Sequence, residues 1–163
     1  MLLLISDANI LMDIETGDLV APMFSLGYQF AVPNVLYYEE LEEQHSHLIN
    51  LGLQVRTVSA EGVARVEVLS QSHARPGRND LFALVLAEAE NCPLLTGDAA
   101  LRAAAESENV EVKGTIWLII EMVREKRITV AVARAALNKM RENGRRLPWE
   151  IAEQMLNEHI DDQ

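Results

Sequence analysis

A chain of 163 residues, 49% of them apolar, can build one well-buried core and is too apolar to be disordered as a whole. No apolar run approaches the roughly 18 residues of a membrane span, and a lone cysteine, Cys92, excludes an internal disulfide. The net charge of −11 argues against a nucleic-acid partner only until its distribution is read: residues 1–55 hold eight acids and no Lys or Arg, whereas residues 113–146 hold nine bases and three acids.

Met1–Ile5 lacks the basic flank of a leader segment and stops at Ser6-Asp7, so Leu2–Ile5 reads as a buried strand and Ala8–Glu15 as the helix that follows. With no leader, no span and no paired cysteines, the reducing cytoplasm is the expected compartment. Gly17-Asp18 breaks the first helix and Leu19–Leu26 forms another. Gln29–Val32 is a second strand closed by Pro33, and one helix is expected from Asn34 to about Asn50, with Leu36, Leu41 and Leu48 along one side and Gly52 as its stop. Leu53–Val58 alternates like a strand, and Ser59 caps a helix to about Ser72.

Arg75-Pro76-Gly77-Arg78 is a loop, after which Asn79-Asp80 opens a strongly apolar helix to about Glu90. Pro93–Thr96 is a short strand, Gly97-Asp98 starts a helix to about Ser107, and Val110–Val112 is the last strand. This alternation predicts an α/β fold of three layers, with a central parallel sheet between helices and right-handed crossovers. Beyond Gly114 the period is purely helical, over Thr115–Lys126, Val130–Asn143 and Pro148–His159. No linker or repeat divides the chain, so residues 1–163 read as one domain, an α/β core over 1–113 with a helical extension over 114–163.

Asp7, Asp80 and Asp98 each fall where a strand or loop hands over to a helix, and Glu40 lies on the helix after the second strand. Each aspartate also stands where a helix N-cap belongs, and Glu40 taken alone is an ordinary solvated helix residue. Jointly they point further, because ligands of open parallel sheets bind beyond the carboxyl ends of the strands. Four acids gathered there need bound cations or raised pKa values. A donor set of oxygens without matched cysteines or histidines suits Mg²⁺ or Mn²⁺ rather than Zn²⁺. His45 and His47 point to different faces of a helix at their spacing, so no shared metal is expected there. A phosphohydrolase of small esters is disfavoured, since the sequence has neither a Gly-rich phosphate cradle nor an Asp-x-Asp pair.

Three strings in order carry a resemblance: Ser6-Asp7-Ala8-Asn9-Ile10-Leu11, then Asn79-Asp80-Leu81-Phe82-Ala83-Leu84-Val85-Leu86-Ala87, then Pro93-Leu94-Leu95-Thr96-Gly97-Asp98. Together they are similar to the acidic motifs of PIN domains, above all the VapC-type toxin ribonucleases of toxin–antitoxin pairs and their relatives with a helical C-terminal extension. The resemblance implies an endonuclease that uses Mg²⁺ or Mn²⁺ to cut RNA phosphodiesters, with Asp7, Asp80 and Asp98 as the catalytic, metal-holding acids. It implies that Asn9 and Thr96 orient these acids by hydrogen bonding. For the second acid it leaves the adjacent Glu39 and Glu40, and favours Glu40, which has Leu41 directly after it and Leu36 four residues before. Arg78, just before Asp80, and Arg102, one turn beyond Asp98, are the candidates for holding the RNA backbone. An antitoxin protein and a homodimeric state are further implications. The strong negative charge keeps a second reading open, a catalytically inactive PIN-like module that binds a protein partner through its helical tail.

Overall fold

The computed structural model describes residues 2–159. The apolar run Leu2–Ser6 forms β1, Asp7 caps α1 (Ala8–Thr16), and α2 (Val20–Ser25) leads into β2 (Tyr28–Pro33). Four helical pieces follow: α3 (Asn34–Leu36), a π-helical segment (Tyr37–Leu41), α4 (Glu42–His45) and α5 (His47–Leu51). Gly52 closes them at a φ of 127°, a conformation that side chains disfavour. Next come β3 (Gln54–Arg56), α6 (Ala60–Ser72) with Ser59 as its cap, α7 (Arg78–Glu90), β4 (Leu94–Leu95), α8 (Ala99–Ser107) and β5 (Val112–Lys113). Helices α9 (Thr115–Arg124), α10 (Val130–Glu142) and α11 (Trp149–Asn157) end the described chain. The expected extension ran to 163, and residues 160–163 lie outside the described residues.

Among the described residues, five strands pair in the order β3-β2-β1-β4-β5, all in parallel. Helix α7 packs on β1, β2 and β4 and against α6 and α8, while α1, α2 and α9 pack together, with α2 on β2. The result is the three-layer α/β/α arrangement expected from the alternation of strands and helices. The sequence order reverses between β1 and β4, which makes the space beyond their carboxyl ends the topological switch point. Asp7 follows β1 directly, and Thr96-Gly97-Asp98 follows β4. Leu81 to Ala87 of α7 are all buried, as a helix caught between a sheet and two other helices must be. Each fully buried Leu of that run contributes about 1.5–3 kcal/mol relative to exposure.

The C-terminal helices share this core: Val130, Met140 and Leu156 belong to the same apolar cluster as Leu4 and Ile5. Helix α10 lies against the end of α1, where a Cβ added to Gly17 would stand 2.5 Å from Met140 Cε. Polar ties reinforce the packing. Lys139 pairs with Asp18, and the Tyr28 hydroxyl donates to Glu121 Oε2 at 2.8 Å. Among the described residues no helix is long and apolar enough to cross a membrane.

β3, β4 and β5 are shorter than the sequence predicted, keeping only the residues that find a pairing partner, whereas β1 and β2 extend beyond the predicted bounds. The single helix expected over 34–50 is interrupted twice. Over Tyr37–Leu41 the Glu42 N–H reaches back to Tyr37 O, a wider i→i+5 turn, and at Ser46 the helix breaks again. This corrects the expectation for the two histidines. His45 Nδ1 and His47 Nε2 do not diverge but converge on Glu15, at 2.6 and 2.7 Å from its two carboxylate oxygens.

Candidate active site

The first acid is fixed by two local rules. Asp7 leaves β1 in extended conformation and caps α1, so its Oδ1 accepts from Ile10 N–H at 3.0 Å. Its Oδ2 accepts from the Thr96 hydroxyl at 2.5 Å, a contact that only the pairing of β1 with β4 can create. Thr96 Oγ1 in turn accepts the Asp98 backbone N–H at 3.0 Å. Asp98 caps α8, its Oδ1 accepting from Leu101 N–H at 2.8 Å. A carboxylate offers about four lone-pair sites, so capping leaves both aspartates with acceptor capacity to spare.

Asp80 is not a cap. Helix α7 begins at Arg78 with Gly77 as N-cap, and Asp80 occupies the first turn, hydrogen-bonded back to the Gly77 backbone. Glu40 lies in the π-helical segment and accepts from Asn79 Nδ2 at 3.1 Å, which ties it to the start of α7. Glu39, Glu40 and Asp80 line one cleft of about 280 Å³ together with Arg78.

Electrostatics links the four acids. Asp7 is only 2% exposed. Burial pushes its carboxyl from the ordinary 3.8 up to about 6, against the pull of the Thr96 and Ile10 hydrogen bonds, and the charges of Asp80 and Asp13 push the same way. Asp80 is also raised to about 6, first by burial and then by the charges of Asp98 and Glu40. Asp80 is therefore the hub: Asp98 and Glu40 act on it, and its own charge acts on Asp7.

The supporting residues divide. Thr96 sits between Asp7 and Asp98, as described. Asn9 is exposed, and it engages none of the acids: its Oδ1 and backbone oxygen each accept from Arg145 Nη2 at 3.3 Å. Arg78 stands at the acidic cleft but is committed to Glu67 at 3.1 Å and to the face of Phe82 at 4.9 Å. Arg102 is exposed on α8 and faces a different, larger cleft. Asp13, absent from the sequence candidates, is buried one turn and a half along α1 from Asp7, where it accepts from Thr115 Oγ1 at 2.8 Å and Arg145 Nε at 2.6 Å. Its only sequence signal was an acid on the apolar side of a helix.

Do these residues suit a divalent cation? Among the described residues no group of three or more His, Cys, Asp or Glu is placed to hold a metal ion. Mg²⁺ does not require such a group, since it keeps several waters and is held through one or two carboxylates. The donor set is all oxygen, and two of its members carry raised pKa values that a nearby cation would lower. On donor chemistry the residues fit.

Comparisons with known proteins follow the same line. Among curated proteins nothing matches. Among solved structures, a PilT N-terminus domain protein from the hyperthermophilic archaeon Sulfolobus solfataricus is similar at 13% identity with a TM-score of 0.48, over 75% of this chain and 93% of that one. Residues 3–160 match the family described as DUF3368: PIN domain, a span that takes in the C-terminal helices as well as the sheet. This chain thus belongs to the PIN-domain family, whose members are generally nucleases that work with divalent metal ions.

Proposed function

We propose that this protein is an endoribonuclease dependent on Mg²⁺ or Mn²⁺, with Asp7, Glu40, Asp80 and Asp98 as its metal-holding acids. The observation that carries the reading is the Thr96 hydroxyl joining Asp7 to Asp98 at the switch point of the sheet, with the charges of Asp98 and Glu40 acting on Asp80 and that of Asp80 on Asp7. Helix capping accounts for Asp7 and Asp98 but not for Asp80 and Glu40, which cap nothing and still add negative charge; a bound cation gives all four a role.

Each residue has a share in the chemistry. Asp7 is held rigid by Thr96 and Ile10, so its remaining lone pairs keep a fixed direction. Asp98 is coupled to Asp7 through the Thr96 hydroxyl and stands exposed at the mouth of the site. Glu40 and Asp80 line the acidic cleft and bring negative charge that reaches Asp7 through Asp80. When bound, the metal supplies an acidified water and neutralises charge building on the phosphate. The carboxylates position and do not attack phosphorus. Arg78 would hold the RNA backbone on exchanging Glu67 for a phosphate. A role as the toxin of a toxin–antitoxin pair, with an antitoxin partner, a homodimeric state and a cytoplasmic setting, rests on the resemblance of the motifs.

The test is cleavage of an end-labelled RNA by the purified chain, with Mn²⁺ or Mg²⁺ against EDTA. Wild type is expected to cut only with metal, and Asp7→Asn and Asp80→Asn to lose at least a hundredfold while melting cooperatively. Undiminished cleavage by either variant, or the absence of any calorimetric binding of Mn²⁺ at millimolar concentration, would refute the reading.

A further inference from the structure

A second cleft is larger than the acidic one. It measures about 710 Å³, within the range of about 300–1,000 Å³ typical of ligand sites, and opens between the end of β5 and the connection from α10 to α11. Its charge is opposite to that of the chain. Arg102, Lys113, Arg145 and Arg146 line it, with Asp13 as the one acid, in a protein of net charge −11. Asp13 is spoken for by Arg145 at 2.6 Å. Among the described residues, Arg102 and Arg146 have no ion-pair partner and both side chains are exposed, whereas Lys113 pairs with Glu111 at 2.9 Å on the surface and would exchange it for a phosphate. The Lys113 ammonium sits 5.2 Å above the Trp117 ring, on the cleft wall.

The cleft also reaches the strand ends that carry two of the acids. Gly97, next to Asp98, and Asn9, two residues after Asp7, form its near end. A Cβ added to Gly114 would stand 3.7 Å from Thr96 O and 3.8 Å from Arg102 Nη2, so the guanidinium lies beside the strand end that holds the acids. Its far end is apolar, with Ile151 55% exposed, and includes Trp117.

We propose that this cleft is the track for single-stranded RNA flanking the scissile bond, with Arg102, Lys113 and Arg146 on successive phosphates and the apolar wall against base or ribose faces. The inference rests on the nuclease reading for the direction of the strand and adds to it where the substrate lies. It also bears on the net negative charge: four cations and a single acid line this cleft in a chain of net charge −11. The pairing of cations with an apolar wall suits a single strand, whose unpaired bases offer faces to stack.

The experiment is fluorescence anisotropy of a labelled ten-nucleotide single-stranded RNA with the full chain in EDTA, over a range of salt. The double variant Arg102→Ala/Arg146→Ala should bind at least tenfold more weakly, and the slope of log K against log salt should fall by about 1.4, since each phosphate contact on a single strand contributes about 0.7. Both side chains are exposed, so the melting temperature should hold and is measured alongside. Unchanged affinity and slope in a folded double variant would overturn the proposal. So would an acidic peptide of equal charge that binds more tightly than the RNA, which would assign the cleft to a protein partner. The two readings fail separately. RNA bound through Arg102 and Arg146 by a chain that cuts nothing removes the nuclease and keeps the track; metal-dependent cutting with binding indifferent to both arginines does the reverse.

Discussion

The Thr96 hydroxyl donates to Asp7 Oδ2 at 2.5 Å across 89 residues of chain, and the same oxygen accepts the Asp98 amide at 3.0 Å. One side chain thereby sets the relative position of two acids that lie on different strand ends. Thr96→Val keeps the shape and removes the hydroxyl. Asp7 Oδ2 then loses its donor inside the protein, at a cost of about 1–3 kcal/mol. Cleavage is expected to fall at least tenfold, whereas Thr96→Ser should recover most of it. Urea unfolding and cleavage rates for the two variants check this; a valine variant equal to wild type in both would show that the hydroxyl orients nothing.

The raised acids make stability depend on pH in a direction opposite to ordinary acid denaturation. Asp7 titrates at about 6 in the folded chain and near 3.8 when unfolded, so between these values the folded state holds more protons. Stability from this group is therefore highest below about pH 4 and is lost as pH rises through 6. In metal-free protein the ionised carboxyl costs on the order of 3 kcal/mol at pH 7.5. Asp7→Asn removes the charge, and the Thr96 hydroxyl can accept from the new amide. In EDTA the variant should gain on wild type at pH 7.5 and gain less at pH 5. Melting curves at the two values measure the difference, and an equal gain at both would contradict the assignment. Adding Mn²⁺ should raise the melting temperature of wild type more than that of the variant.

Glu39 and Glu40 line the same cleft, yet their ties differ. Glu40 accepts from Asn79 and its charge raises Asp80, whereas neither relation involves Glu39. Glu40→Gln should therefore weaken Mn²⁺ binding at least five times more than Glu39→Gln, by calorimetry on each single variant. Equal effects would make the pair interchangeable.

Much of this was legible from residue order. Alternation of short apolar runs and helical periods gives the parallel sheet, and a parallel sheet brings residues that follow its strands to one end, so Asp7 and Asp98 had to approach. The break in the helix after β2 was not legible. A π-turn adds one residue to a turn without any Gly or Pro to announce it, and the second break, at Ser46, is equally unannounced; it falls between His45 and His47, which meet on Glu15. The partner of Asn9 was equally hidden: Arg145 comes from 136 positions away, through helices whose docking angle no local pattern encodes.

Asp13 and Arg145 decide whether the C-terminal helices stay docked. Asp13 is buried on α1 and takes one hydrogen bond from Thr115 at the head of α9 and one from Arg145 beyond α10, so a single carboxylate joins three elements. Arg145→Ala leaves that carboxylate inside the protein without its cation, and the loss should be about 1.5–3 kcal/mol, the range for hydrogen bonds to charged groups. Replacing both partners by apolar residues of similar size, Asp13→Leu with Arg145→Met, should cost less than the sum of the single changes, because no buried charge is then stranded. A double-mutant cycle by urea unfolding gives the coupling directly. Additive losses would mean that the two side chains contribute independently, and that Met140 against Gly17 and the shared apolar cluster hold the helices in place without them.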